Sequence, residues 1–416
     1  MKAYLGVDWS ATEIVCAVAG EEGRPKRIRG RTGPTLDSVR ALVERARTMA
    51  GADEVIAMIE AGSPIWIWLL FTAGAVVHVA DSKQARRFAE SQSSSGAKDD
   101  QRDAESLTDM CRSASHRKNP WKPDPAEIQQ LDILAGLHEQ ITRDLGRTKQ
   151  RLRDVVGRSM PLVEKALPKE LCSRWVDAFL RKVATPRHAR NLTRADLDGM
   201  LVRTRSATRD RVWEALQKTE APWLTAPVAE TIRLQVRFEL DQMALLGKQL
   251  AEVEKRMDRV TQTMATRQMA ESMGGIALKL SASLIQYAFR DGVPGDRDQA
   301  SVRMGASPVF TGSARRKDGK PKGRVHMRRA APARARRATY LIGRLASQHL
   351  DWGRAMYANA MERGQKPATA YRRIARCVLR IQTAMMRTQQ PYDNARYVAA
   401  LKAKGIRWAD GLEQAA

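Results

Sequence analysis

Apolar residues in the first 125 positions fall into short runs that alternate with amphipathic segments. Runs rich in valine and isoleucine predict strands at residues 3–8, 13–19, 25–30, 54–59 and 75–80. Apolar positions at helical spacing predict helices at residues 35–50, 64–72, 82–90 and about 100–112. The linker between the first two strands is short enough for a hairpin. The order β-β-β-α-β-α-β-α, which the helix at about 100–112 follows, is typical of a ribonuclease H-like α/β domain.

A proline-rich segment at residues 119–125 interrupts this pattern, and longer helices are predicted beyond it. One apolar stripe covers residues 131–155. The members of a second stripe, spaced three and four residues apart, are Met243, Leu246, Leu250, Val253, Met257, Val260 and Met264. This heptad seam predicts a coiled coil. The sequence leaves open whether two subunits form it or one chain folds back as an antiparallel hairpin.

The composition changes again near residue 268, where a helical segment rich in small residues leads into a strongly basic one. Residues 303–337 contain twelve Lys or Arg and a single acid, Asp318. We therefore expect an α/β-plus-α chain with three domains. They are an N-terminal α/β domain (1–125), a helical coiled-coil domain (126–266) and a mainly helical C-terminal domain (267–416).

A net charge of +26 favours a polyanionic partner, and nucleic acid is the commonest one. The hydrophobic fraction of 43% argues against a disordered basic protein. Four scattered cysteines without a CxxC pair predict a reduced, cytoplasmic protein without a zinc or disulfide framework. The apolar run at residues 65–79 is too short for a membrane span. Its tryptophans, Trp66 and Trp68, are expected to pack in the core rather than to stack on bases.

Four carboxylates occupy positions where they could converge. Asp8 and Glu60 each end an apolar run, whereas Asp100 and Asp103 are three residues apart on one helix face. Asp99 could also share that face with Asp103. Each acid alone is more often a solvated turn or surface residue. Together, in this order, they suit a site for Mg²⁺ or Mn²⁺, because hard cations prefer carboxylate oxygens.

The segments GVDWSATEIVCAV, IEAGS and KDDQRDA resemble the N-terminal domain of DEDD-type insertion-sequence transposases of the IS110 family. These are bridge-RNA-guided recombinases related to Piv-type invertases, and their N-terminal domain is similar to the RuvC junction resolvase. The second half independently resembles the same family in MGASPVFTGSARRKDGK and in the Arg-rich run that follows. The resemblance therefore implies a RuvC-like catalytic domain at 1–125 and a transposase domain at 267–416.

The resemblance also implies roles for individual residues. It makes Asp8, Glu60, Asp100 and Asp103 metal ligands and Ser313 a nucleophile that forms a covalent phosphoserine, in a site composed within one chain or between subunits. The basic residues expected to contact nucleic acid are Arg315, Arg316, Lys317, Lys320, Lys322, Arg324, Arg328 and Arg329. The implied partners are target and donor DNA, a structured bridge RNA and further copies of the chain in a dimer or tetramer, but no membrane.

Two other functions remain compatible with the residues themselves. One is a metal-dependent nuclease or junction resolvase in which water is the nucleophile and Ser313 is incidental, since a serine in a basic loop is usually a solvated turn residue. The other is a nucleic-acid-binding scaffold whose acids are structural. A hydroxyl needs a base or a metal to become a nucleophile, and no histidine lies close to Ser313 in the sequence.

Overall fold

A computed structural model describes residues 1–92, 99–117, 119–190, 192–202, 204–220, 224–315 and 321–412. Within these ranges, only the backbone is described for residues 117, 311–315 and 321–325. The chain divides into two units, Met1–Asp124 and Pro125–Ala416. The first boundary lies at the proline-rich segment. A further division of the second unit at residue 266 stays a prediction.

The N-terminal unit is built on a five-stranded sheet whose order is β3-β2-β1-β4-β5. Strand β1 pairs antiparallel with β2 and parallel with β4, and β4 pairs parallel with β5. The strands are β1 (Lys2–Trp9), β2 (Ile14–Ala19), β3 (Lys26–Arg27), β4 (Glu54–Glu60) and β5 (Val76–Ala80). The third strand is much shorter than the predicted strand at residues 25–30, because only Lys26 and Arg27 pair with β2.

Helices cover both faces of this sheet. They are α1 (Leu36–Ala50), α2 (Pro64–Thr72), α3 (Ser82–Gln92) and α4 (Asp100–Ala114), and a 3₁₀ turn, Ser115–Arg117, follows. Leu5 and Val7 of β1 pack with residues of α1 and α2 on one face. Met58 of β4 packs with Leu107 and Cys111 of α4 on the other face. The alternation of strand side chains therefore assigns each sequence position to one helical layer.

The second unit begins with a helical hairpin. Helices α5 (Ala126–Ser159) and α11 (Ala226–Thr261) run antiparallel, since Arg151 Nε donates to Glu239 Oε1 at 2.9 Å while His138 Nε2 lies 3.1 Å from Glu254 Oε1. Between them lie α6 (Pro161–Ala166), α7 (Arg174–Lys182), α8 (Pro186–Ala189), α9 (Arg194–Met200) and α10 (Ser206–Gln217).

This hairpin explains the heptad seam. Its members from Leu246 to Met264 are buried or half-buried against the α5 side of the same chain, and Met243 joins the neighbouring cluster around α7 and α10. Of the two arrangements left open by the sequence, the structure contains the intrachain one. The seam therefore does not argue for a dimer.

In its described residues, the remainder of the second unit consists of helices, connecting turns and one β-hairpin. Its helices are α12 (Ala265–Glu271), α13 (Leu278–Ser283), α14 (Gln299–Arg303), α15 (Ala333–His349), α16 (Asp351–Glu362), α17 (Pro367–Thr388) and α18 (Asn394–Ala403). A π-helical turn, Leu284–Ala288, follows α13, and a 3₁₀ turn, Arg407–Ala409, follows α18. The hairpin consists of β6 (Pro308–Arg315) and β7 (Pro321–Met327). Among the described helices, none has the length and apolar character needed to cross a bilayer.

Candidate active site

Asp8 and Glu60 lie side by side at the ends of neighbouring parallel strands. Val7 pairs with Ile59, so the next residue pair along the two strands is Asp8 and Glu60. Val7 and Ile59 both pack in the α1 and α2 layer. Because strand side chains alternate, both carboxylates belong to the opposite face, which α4 covers.

Helix α4 adds the other two acids at its N-terminus. Asp99 is the N-cap residue, and its side chain accepts a hydrogen bond from the backbone nitrogen of Gln101 at 3.2 Å. Asp100 and Asp103 follow in the first turn. The carboxylate of Asp99 is thus engaged in capping, which leaves Asp100 as the better candidate for a metal ligand.

A glycine lets α4 approach the sheet closely. A Cβ atom on Gly6 would lie 2.1 Å from the carbonyl oxygen of Ala104 and 2.5 Å from Oγ1 of Thr108. The Gly6 nitrogen donates to Thr108 Oγ1 at 3.1 Å. The buried Thr108 hydroxyl lies 2.9 Å from two acceptors, the carbonyl oxygens of Ala17 and Ala104. These contacts fix the height of α4 above β1, and therefore the height of its acids above Asp8.

The roles of Gly6 and Thr108 were not predicted from the sequence. A glycine within a β-branched strand was the available signal, since it often marks a close approach of another backbone. Trp9 was missed as well. Its Nε1 donates to the carbonyl oxygen of Glu60 at 3.0 Å. A Cβ atom on Gly62 would lie only 2.7 Å from the Trp9 ring. Gly62 has a φ of +137°, which favours glycine.

The four acids interact electrostatically. The pKa of Asp8 is raised from 3.8 to about 6. Burial is the largest cause, followed by the negative charges of Asp103, Asp100 and Glu60, and a backbone hydrogen bond at Trp9 opposes the rise. The other three carboxylates are therefore near enough to Asp8 to disfavour its ionisation. A raised carboxyl pKa at such a cluster is typical of a functional site.

The chemistry of these donors fits a hard divalent cation. Carboxylate oxygens are preferred ligands of Mg²⁺, and a cation would relieve the repulsion that raises the pKa of Asp8. Among the described residues, however, no group of three His, Cys, Asp or Glu side chains is already arranged to hold an ion. The acids affect Asp8 electrostatically but do not form a complete set of metal ligands. Binding of a cation would therefore have to bring their carboxylates closer together.

The tryptophans near Glu60 have structural roles. Trp66 is fully buried, and its Nε1 donates to the carbonyl oxygen of Ser10 at 2.9 Å, which confirms the expectation of core packing for this residue. Trp68 is partly exposed and lies edge-on to Phe71 and Trp121, with ring centroids 6.4 and 5.4 Å away. Trp68 therefore belongs to a surface aromatic cluster rather than to the core.

Ser313 lies in a strand rather than in the solvated loop that its basic neighbours suggested. Its backbone belongs to β6, where Thr311 pairs with Arg324 and Ala314 pairs with Lys322. Two residues, Gly312 and Ser313, thus oppose the single residue Gly323, and the register shifts there. Such a β-bulge redirects a side chain and is frequent beside active sites. The signal for these strands was the alternation of apolar and polar residues in the segments PVFTG and GRVHM, which face each other in the hairpin.

The structure describes the predicted basic residues to different extents. Arg316, Lys317 and Lys320 lie outside the described residues. Arg315, Lys322 and Arg324 are described by their strand backbone alone, on β6 and β7.

The other two predicted basic residues follow β7 directly. Arg329 is exposed, whereas Arg328 is half-buried and lines a concavity of about 480 Å³ together with Arg290 and Arg303. Cationic side chains therefore continue past the base of the hairpin.

The first unit is thus an α/β domain in which Glu60, Asp100 and Asp103 act electrostatically on Asp8, and the second unit is mainly helical. Residues 5–161, which cover most of the first unit and all of α5, match the transposase family of DEDD type found in IS110 elements. Over these residues the chain is similar to the IS110-type transposases.

Two curated proteins are also similar to the chain. One is y4uE of Sinorhizobium fredii, provisionally named as a transposase, which is 24% identical over 49% of this chain and 56% of its own length. The other is the uncharacterized 43.6 kDa protein of insertion element IS110 from Streptomyces coelicolor, which is 23% identical over 72% of this chain and 73% of its own length. The alignment thus spans little more than half of y4uE.

Proposed function

We propose that this protein is a DNA transposase that cuts and rejoins phosphodiester bonds. The observation that carries the proposal is the Asp8 carboxyl group, whose pKa is raised to about 6 by burial and by three neighbouring acids. Acids that repel one another at neutral pH favour a bound cation, and metal-assisted phosphodiester chemistry needs such a centre. Kinship with IS110-type transposases supports DNA as the substrate.

In this proposal Asp8, Glu60, Asp100 and Asp103 hold Mg²⁺ or Mn²⁺, which would stabilise the charge on the phosphate oxygens during transfer. Asp8 carries a proton below about pH 6 while it is free of metal, so it has to lose that proton before it can act as a ligand. Gly6 and Thr108 position the helix that carries Asp100 and Asp103, and Trp9 braces the strand end that carries Glu60.

Ser313 is the proposed nucleophile. Its oxygen forms an ester bond with the scissile phosphorus while the bond from phosphorus to the oxygen of the leaving strand breaks. The serine proton passes to water, and the leaving oxygen takes up a proton from water and departs as a hydroxyl. A hydroxyl of the partner strand can then attack the phosphoserine, which forms the new phosphodiester bond and releases the serine hydroxyl. The bulge at Gly312 and Ser313 supports this role, because it singles out one position of the hairpin. The basic residues of β6, β7 and the segment after them would contact flanking phosphates.

A structured RNA is proposed to select target and donor DNA by base pairing, while the protein supplies backbone contacts and chemistry. The net charge of +26 and the absence of a base-reading motif from the sequence support this division of labour. We propose a dimer or tetramer because recombination holds two DNA partners together. The intrachain hairpin of α5 and α11 means that oligomerisation has no support from the heptad seam.

A strand-exchange assay with purified protein, donor and target DNA, and RNA transcribed from the flanks of the gene tests the proposal. Asp103→Asn and Ser313→Ala are expected to abolish exchange, whereas Thr311→Ala, a hydroxyl removed from the same strand, should retain it. Cleavage at the normal rate by Ser313→Ala would identify water as the nucleophile and the protein as a metal-dependent nuclease. Exchange at full rate without RNA would refute guidance.

A further inference from the structure

Three tyrosines from consecutive helices form a continuous aromatic cluster in the second unit. The ring of Tyr340 on α15 meets Tyr371 on α17 edge to face, with centroids 5.3 Å apart and planes at 88°. Tyr371 in turn stacks on Tyr357 of α16 at 5.1 Å, with planes 11° apart. Tyr340 is the outer member, and 38% of its surface is exposed. The ring of Tyr340 thus lies at the surface against Tyr371, which is itself stacked on Tyr357.

The scaffold beneath Tyr340 is closely packed. A Cβ atom on Gly343 would lie 1.9 Å from the carbonyl oxygen of Tyr371, so α15 and α17 touch through their backbones one turn away from the ring. Thr339, which is buried, donates to the carbonyl oxygen of Met304 at 2.6 Å. These contacts fix the direction in which Tyr340 leaves the helix. The ring is therefore pre-organised, and a ligand would not have to order it.

Two arginines flank the ring on the same helical face. Arg337, Tyr340 and Arg344 occupy positions i, i+3 and i+7, which align along a helix, and all three are exposed. In the described part of the chain, Arg334 of α15 forms an ion pair with Glu139. Within the same residues, neither Arg337 nor Arg344 pairs with a carboxylate. Arg344 also acts on the Tyr371 phenol, where it opposes the rise in pKa caused by Tyr357 and by burial.

Packing alone explains Tyr357 and Tyr371, which are half-buried between helices, but it does not explain Tyr340. A core residue needs neither an exposed ring nor two cations on the same helical face. An exposed ring between cations is the arrangement with which proteins bind unpaired nucleotides, since the base stacks on the ring and the phosphates meet the arginines. A duplex cannot use such a ring, because its bases are already stacked.

We propose that Tyr340 is a stacking platform for an unpaired base of a single-stranded nucleic acid, with Arg337 and Arg344 contacting the phosphates on either side. The two arginines are separated by about 10 Å along the helix axis, which lets both side chains reach toward one nucleotide. This site does not depend on the proposed phosphodiester chemistry, because stacking requires neither Ser313 nor a metal. An unpaired DNA strand and an unpaired segment of RNA offer the same chemistry.

Binding of the full-length protein to a single-stranded oligonucleotide with one central 2-aminopurine, in EDTA to prevent cleavage, tests the proposal. Stacking quenches 2-aminopurine, and fluorescence anisotropy gives the affinity. Tyr340→Ala and Tyr340→Leu should both weaken binding about 5- to 100-fold and abolish the quenching, whereas Tyr340→Phe should keep both within about twofold. Leucine keeps the apolar packing without an aromatic face, so it separates stacking from stability.

Phe238→Ala is the matched control, because Phe238 is an exposed aromatic residue of α11. It should bind as the unchanged protein does. Arg344→Ala should lower the salt dependence of binding by about one phosphate contact. Thymidine and uridine oligonucleotides measured in parallel tell DNA from RNA, since the natural ligand should show the larger loss in Tyr340→Ala. Unchanged single-strand affinity in Tyr340→Leu, or an equal loss for a duplex of the same length, would overturn the proposal.

Discussion

Neutralising Asp8 should stabilise the metal-free protein at neutral pH. In the folded chain the carboxyl pKa is raised from 3.8 to about 6 by burial and by Asp103, Asp100 and Glu60. A carboxyl group whose pKa is raised by folding costs stability at every pH above its pKa in the unfolded chain. This cost is absent below about pH 4, grows between about pH 4 and 6, and is complete at pH 7.5. Asp8→Asn removes the charge and keeps the shape of the side chain.

The size of the effect follows from the change in pKa. A rise from 3.8 to about 6 corresponds to about 3 kcal/mol, at about 1.4 kcal/mol for each pKa unit. Asp8 is only half-buried, and solvent screens its neighbours, so we expect about 1–2 kcal/mol. The Asp8→Asn protein should therefore unfold at a higher urea concentration than the unchanged protein at pH 7.5.

Urea unfolding in EDTA at pH 7.5 and pH 4.5 measures this difference. The advantage of Asp8→Asn should be largest at pH 7.5 and should shrink toward pH 4.5. Adding Mg²⁺ should stabilise the unchanged protein and have little effect on the variant, because the variant lacks a ligand. Asp99→Asn is the matched control, since asparagine is also a good N-cap and Asp99 is absent from the charges that act on Asp8. An equal stability of both proteins at pH 7.5 would refute the electrostatic reasoning.

Two further substitutions test the packing and the charges around the fold. Gly6→Ala places a Cβ 2.1 Å from the Ala104 carbonyl oxygen, so α4 has to move by about 1 Å. We expect the free energy of unfolding in urea to fall by about 2–3 kcal/mol. The rate of strand exchange should fall by at least about 100-fold. Retention of full exchange activity would contradict the role given to this contact. Asp298 accepts hydrogen bonds from Arg380 and Arg376, which hold its pKa below the usual range, so it stabilises the fold at neutral pH and this contribution is lost as the pH falls below about 4. Asp298→Asn should cost about 1–2 kcal/mol in urea unfolding at pH 7, and this cost should begin to shrink below about pH 4 and continue to shrink toward pH 2. A cost independent of pH over this range would argue against the ion pairs.

The order of elements in the N-terminal unit could be predicted because its strands and helices have clear and different periodicities. Residues 54–59 and 64–72 are strand and helix as expected, within a residue at their ends. Pairing was harder to predict. The sequence did not reveal that only Lys26 and Arg27 of the expected third strand pair with β2, since strand length there depends on neighbours rather than on propensity.

The candidate site could be predicted by residue type and order but not by geometry. The positions of Asp8 and Glu60 at strand ends could be predicted from the sequence. The close approach of α4 to the sheet could not, because it depends on a contact between Gly6 and Thr108, which are more than 100 positions apart. The heptad seam had two structural solutions with the same pattern, and the facing residues of α5 select the intrachain one. The hairpin of Ser313 was hidden by its basic composition, which is typical of a loop.

Trapping the covalent intermediate tests the central claim most directly. A donor DNA with a nick just past the scissile bond would let the leaving fragment diffuse away after attack, so that any protein–DNA ester accumulates in Mg²⁺. Protease digestion followed by mass spectrometry then identifies the linked peptide. The account predicts a nucleotide ester on Ser313 that is absent from Ser313→Ala and from Asp103→Asn. Cleaved DNA with free ends and no linked peptide, or an ester on another residue, would contradict it.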